Sequence, residues 1–215
     1  MKKLILFLFL LVSQLQAHSQ TVAFGKGCLE ADIILAVDWS GSVSAKREYM
    51  LQAIYAYSRS FLLSEDGIKL GVLSFGDETT SPALLTADTA VIDHGILQLM
   101  DDSLNHATRC DDVPTYASVL FAQSKQERGK SPQRKFLIVI SDGDVRGKDA
   151  VSQEFRAFAE REGVLICTIR LEGKVDDIDI EAAESFMSQI AYPNYAFRSS
   201  YYELRQFLVT LNLCM

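Results

Sequence analysis

Ile33-Ile34-Leu35-Ala36-Val37-Asp38-Trp39-Ser40-Gly41-Ser42 is the stretch that decides the fold. Five apolar residues run without a polar break and then stop at an aspartate. A strand covered on both faces reads this way, because both sets of alternating side chains must be apolar. The pattern recurs at Phe136-Leu137-Ile138-Val139-Ile140, which runs into Ser141-Asp142-Gly143-Asp144. Val164 to Ile169 is a third continuous run, and Ile68 to Phe75 is a fourth apolar segment. Ala83-Leu84-Leu85 and Tyr195-Ala196-Phe197 are shorter strand candidates.

Helical periods lie between these runs. Tyr49, Ala53, Tyr57 and Phe61 recur every four residues; Ile92, Ile96 and Leu99 mark a second helix, and Thr115 to Arg128 a weaker third. Val151, Phe155, Phe158 and Ala159 make one stripe, and Ala183, Met187 and Ile190 another. Leu204, Phe207, Leu208 and Leu211 form a last stripe, preceded by the capping box of Ser200 and Glu203. All four prolines are expected between elements. Strands alternating with helices predict an α/β fold, an open and mostly parallel sheet with helices on both faces. One domain is expected over 28–214.

Composition sets the class. The chain has 215 residues, 48% of them hydrophobic, and a net charge of −7. That apolar content excludes a disordered chain, and the acidic balance argues against nucleic acid as a partner. Lys2 and Lys3 precede the apolar run Leu4 to Val12, with Ala17 and Ser19 at A-x-S spacing. This reads as a signal peptide over 1–19. A helix of nine residues rises only about 14 Å, short of a membrane core of about 30 Å. The mature chain is therefore expected to be secreted or periplasmic, without a membrane span.

In such sheets ligands bind beyond the carboxyl ends of the strands. Asp38, Ser40 and Ser42 alternate on a turn there, Asp142 ends another strand, and Thr115 opens a helix after Asp111-Asp112. These groups are all oxygen. Hard cations prefer them: Mg²⁺ first, then Mn²⁺ or Ca²⁺. Ordinary alternatives stay open, since a serine of this turn can cap the next helix and an aspartate can hold loop amides.

Asp38-x-Ser40-x-Ser42, the helix-opening Thr115 and Ile140-Ser141-Asp142-Gly143 together resemble the metal-ion-dependent adhesion site, or MIDAS, of von Willebrand factor type A domains. The likeness spans about Asp32 to Leu213. It implies a doubly wound, six-stranded, Rossmann-like sheet. It also implies Ser40, Ser42 and Thr115 as direct ligands, with Asp38 and Asp142 acting directly or through water. A partner protein's Glu or Asp carboxylate would complete the shell, and the function implied is protein binding of the adhesion type. Two departures are visible. Ser141 stands where the family often has Thr, and Pro114-Thr115-Tyr116-Ala117-Ser118 replaces a segment like Gly-Thr-x-Thr-Gly. Trp39 is expected at the rim of the site, where it, Asp112 and Asp144 can contact a partner; an equal alternative packs Trp39 against the Thr115 loop.

Other functions compete. Asp38-Trp39-Ser40-Gly41-Ser42 also resembles the start of haloacid-dehalogenase-type phosphatases, but Ser40 stands where their chemistry needs a general acid. No Gly-x-Ser-x-Gly elbow exists for a serine hydrolase. A metal-free interaction module is the remaining alternative. Type A domains often join their ends, which implies a Cys28–Cys214 disulfide stabilising the fold by about 5 kcal/mol in the chain-entropy model. Cys167 reads as a buried thiol in a strand. Cys110, on the loop before Thr115, is either free or paired with Cys167.

Overall fold

The computed structural model describes residues 30–61, 63, 67–101, 108–172 and 179–211. The leader read over 1–19, and both Cys28 and Cys214, lie outside these residues. Six strands form one sheet: β1 (Ala31–Asp38), β2 (Lys69–Phe75), β3 (Thr79–Thr86), β4 (Arg134–Ser141), β5 (Val164–Glu172) and β6 (Ala196–Ser200). The helices are α1 (Arg47–Ser58), α2 (Thr89–Asp101), α3 (Val113–Arg128), α4 (Lys148–Glu162), α5 (Ile180–Ile190) and α6 (Leu204–Thr210). A 3-10 turn over Gly41–Lys46 leads into α1.

The strand order is β3-β2-β1-β4-β5-β6. All neighbours are parallel except β2 and β3. The sheet is therefore doubly wound, as the strand reading predicts. Its two-sided burial is explicit in β1. Ile33, Leu35 and Val37 join the core beneath α1, α2 and α6, whereas Ile34 and Ala36 join the core beneath α3, α4 and α5. Alternate side chains of one apolar run thus fill two separate cores.

Several expectations need correction. Two prolines fall inside elements. Pro82 lies within β3, which is at the sheet edge, where a missing N–H breaks no ladder on the open side. Pro114 is in the first turn of α3, where the N–H has no helical partner anyway. The third strand is also longer than Ala83–Leu85 and antiparallel, with register shifts. Tyr49 does not belong to the apolar stripe of α1: it is exposed, and Met50, Leu51, Ala53, Ile54 and Tyr57 are buried instead. The Ser200–Glu203 box forms only in part, because Glu203 rather than Ser200 is the N-cap of α6. The Glu203 N–H donates to Ser200 Oγ at 3.3 Å, and that hydroxyl donates to Glu203 Oε2 at 2.9 Å. Gly95 lets α2 lie close on the sheet, because a Cβ there would stand 2.4 Å from the Pro82 carbonyl oxygen.

The winding reverses beside β1. Its neighbours β2 and β4 are reached by connections that leave in opposite directions, so a crevice opens at the carboxyl ends of β1 and β4. Asp38 and Ser141 are the last residues of those two strands.

Candidate metal centre

Parallel pairing sets the ends of β1 and β4 side by side, with Val37 opposite Ile140. Asp38 and Asp142 therefore project into one crevice. Asp38 is wholly buried, Ser40 is 2% exposed and Asp142 3%. Ser42 is exposed and forms the outward side of the group.

The hydrogen bonds tie these residues into one unit. Asp38 Oδ1 accepts from the Ser40 amide at 3.0 Å, and Asp38 Oδ2 accepts from the Ser141 hydroxyl at 2.6 Å. The Gly143 amide donates to Ser141 Oγ at 2.9 Å, and the Asp144 amide to Asp142 Oδ1 at 3.1 Å. The Ser40 and Ser42 hydroxyls stand 3.0 Å apart. Gly143 is required twice over. Its φ is 85°, and a Cβ would stand 2.9 Å from that of Ala183 on α5.

The electrostatics are unbalanced. Two carboxylates are buried together, and among the described residues no Lys or Arg pairs with either. Burial, then the charge of Asp142, pushes the Asp38 carboxyl up to about 7, although its bonds to Ser141 and Ser40 oppose the rise. Among the described residues, Asp142 Oδ2 is buried without any partner. A buried acceptor left unpaired is costly, and a buried charge left unpaired costs more. A hard divalent cation fits this set. It would neutralise the pair and take the free Asp142 oxygen together with hydroxyl and water oxygens. Among the described residues no cluster of three or more His, Cys, Asp or Glu exists, so a nitrogen- or sulfur-rich site is not on offer there.

The other expected residues fall elsewhere. Trp39 is not at the rim: it is 1% exposed, its backbone amide donates to the Phe75 carbonyl at 2.7 Å, and the Arg47 guanidinium covers its ring at 4.6 Å. Pairing with the end of β2 turns the indole inward, so Trp39 is withdrawn as a partner contact. Thr115 is exposed on the first turn of α3 and, among the described residues, no hydrogen bond joins it to Asp38, Ser40, Ser42 or Asp142. With Asp111, Asp112, Glu154 and Arg161 it lines a depression of about 330 Å³ between α3 and α4. Asp112 and Asp144 are exposed, the latter 3.9 Å from the Lys148 ammonium. Asp111 pairs with Arg109 at 2.8 Å, which holds its carboxyl below the usual range. Cys110 and Cys167 are both buried free thiols. They belong to cores on opposite faces of the sheet, so they do not pair.

Two contributors escaped the sequence reading. Ser141 appeared there only as a departure from a family pattern, yet its hydroxyl clamps Asp38. Tyr201 is buried just after β6, and the charges of Asp142 and Asp38 add to burial in raising its phenol. No local pattern announces either role.

Comparison with known proteins agrees with the fold. The von Willebrand factor type A domain model matches residues 32–208. No curated protein sequence matches the chain. Among solved structures, proximal thread matrix protein 1 of the mussel byssus superposes with a TM-score of 0.67 at 22% identity, over 85% of this chain and 46% of that one. The chain thus spans less than half of the mussel protein, which has also been solved with a zinc occupied MIDAS motif. The vWF domain of the type V pili tip protein Mfa5 from Porphyromonas gingivalis gives a TM-score of 0.70 at 13% identity, over 84% of this chain and 93% of that one. The manganese-loaded TRAP protein of Plasmodium vivax gives 0.64 at 18% identity, over 87% and 76%. At these identities the structures speak for the fold.

Proposed function

The chain belongs to the von Willebrand factor type A domain family, and from that premise we propose that it is an adhesion-type protein-binding module working through a divalent cation. Asp38, Ser40, Ser42 and Asp142 hold the cation, and a Glu or Asp carboxylate of a partner protein completes its shell. One observation carries the proposal: two buried carboxylates share a crevice in which, among the described residues, no cationic side chain pairs with them, and the open side of that crevice carries a serine hydroxyl. Neutral hydroxyl and water oxygens on the outward side leave the cation open to a further negative ligand there. An incoming carboxylate is the natural ligand there. Mg²⁺ is the expected ion, with Mn²⁺ or Ca²⁺ as substitutes. Thr115 takes a lesser part, because its side chain is exposed on α3. Asp112 and Asp144 flank the approach.

The proposal needs no catalytic step. Type A domains are in general interaction modules, and Ser40 supplies no acid for a phosphatase. The compartment follows from the leader read over 1–19: the product is secreted or periplasmic, with the domain over 28–214 closed by Cys28–Cys214. The relatives solved from a pilus tip and from byssus support an extracellular setting. Among the described residues no helix is long and apolar enough to cross a membrane.

Melting curves with EDTA and with Mg²⁺ or Mn²⁺ test the site. The cation raises the melting temperature by mass action, and Asp38→Ala removes the rise. Equal melting in EDTA and in cation refutes it. Capture of an envelope or secreted partner with Mg²⁺, abolished by EDTA, then tests the adhesion role.

A further inference from the structure

We infer that Tyr201 is a positioning residue of the cation site, its hydroxyl donating through one water to the unpaired Oδ2 of Asp142. The inference rests on the cation site proposed above. Tyr201 is the first residue after β6, so it stands at the carboxyl edge of the sheet, where β1 and β4 also end. It is 3% exposed, and among the described residues its buried hydroxyl has no partner. Asp142 Oδ2 is buried and unpaired in the same way. One is a donor and the other an acceptor, and each is costly alone.

The ring is fixed from the side of the serine turn. Lys46 closes the turn that begins just after Ser40, and its ammonium lies over the Tyr201 ring at 4.6 Å. This contact ties the segment before α6 to the segment carrying Ser40 and Ser42. Electrostatics agree, since Asp142 and then Asp38 add to burial in raising the phenol, which places it within the field of both carboxylates. A phenol O–H aimed at a ligand carboxylate orients it and holds its charge in place. Such outer partners change metal affinity by about 10–100-fold. Tyr57 supplies an internal comparison. It is as deeply buried, and among the described residues its hydroxyl also lacks a partner, but burial is what chiefly raises it and neither Asp142 nor Asp38 contributes.

The test is Mn²⁺ binding by the full chain and by Tyr201→Phe, Tyr57→Phe and Asp38→Ala. Free Mn²⁺ is followed by electron paramagnetic resonance, and the tyrosines by the near-ultraviolet difference signal on adding the ion. Tyr201→Phe is expected to bind about tenfold more weakly and to lose the tyrosine signal. Tyr57→Phe should match the unmodified chain in both. If Tyr201→Phe keeps the affinity and the signal while Asp38→Ala loses binding, the inference is overturned and the site stands. Should Asp38→Ala bind Mn²⁺ as the unmodified chain does, the site itself falls and this inference with it. Should Tyr201→Phe fail to fold, the same two readouts on Lys46→Ala, which frees the Tyr201 ring, decide: weaker Mn²⁺ binding with a smaller tyrosine signal supports the inference, and both unchanged overturn it.

Discussion

Asp32 and Asp38 stand near opposite ends of β1, and both are wholly buried. Asp32 meets a guanidinium: Arg128 at the end of α3 donates to it at 2.8 Å and, with the same nitrogen, to the Gly67 carbonyl at 2.8 Å. Asp38 meets only a serine hydroxyl and a serine amide, with a second carboxylate beside it. One strand thus carries two solutions to the same burial problem. At the amino end the chain supplies its own counter-charge, and the result is a structural ion pair. At the carboxyl end the described residues supply none, which makes sense if the counter-charge is a ligand. A buried carboxylate is therefore informative about function only together with what faces it.

The largest effect that would break this contrast is at the amino end. Arg128→Ala strands the Asp32 carboxylate and is expected to cost about 3–5 kcal/mol in urea unfolding. The loss should be the same in EDTA and in Mg²⁺, because the pair lies at the far end of β1 from the crevice. A cost below about 1 kcal/mol would mean that water screens the pair, as it does at a surface, and the contrast would collapse.

The carboxyl end predicts a pH dependence instead. The Asp38 carboxyl rises from 3.8 to about 7 on folding. Between those values the folded chain holds a proton that the unfolded chain has released. Stability without metal therefore falls as pH rises from about 4 to about 7. The cation binds the deprotonated carboxylates, so Mg²⁺ stabilises most at the upper end of this window. At a hundredfold excess over Kd it adds about 2.7 kcal/mol. Asp38→Asn should flatten the EDTA profile and abolish the response to Mg²⁺. An EDTA profile of the unmodified chain that is already flat from pH 4 to 7 contradicts the assignment.

The contrast also explains what the sequence could disclose. β1 and β4 were legible because two-sided burial demands unbroken apolar runs, and the aspartates that end them mark the crevice. Pro82 misled because β3 is an edge strand, and edge status is a property of the whole sheet. Trp39 misled because the residues around a motif were read as rim, whereas pairing with β2 carries the strand one residue further and buries the indole. Tyr201 was invisible for a different reason. It reaches the crevice from a strand two places beyond β4 in the sheet, and no local period encodes that approach. The Cys28–Cys214 bridge implied by the family resemblance falls outside the described residues, and a non-reducing peptide map is its direct check.

Thr115 gives the smallest effect and the sharpest test of the site's outline. The Ser40 and Ser42 hydroxyls lie 3.0 Å apart beside Asp38, whereas Thr115 is exposed on α3 with, among the described residues, no bond to them. Removing an exposed hydroxyl changes stability by no more than about 0.5 kcal/mol. Applied to cation binding, the same figure is a factor of about two in Kd. Thr115→Ala should therefore bind Mn²⁺ almost as the unmodified chain does, while Ser40→Ala weakens it far more in the same titration. If the two variants are equally impaired, the first turn of α3 must close on the cation when it binds. The crevice would then be a three-segment site assembled by its ligand, rather than one completed by β1 and β4 in advance.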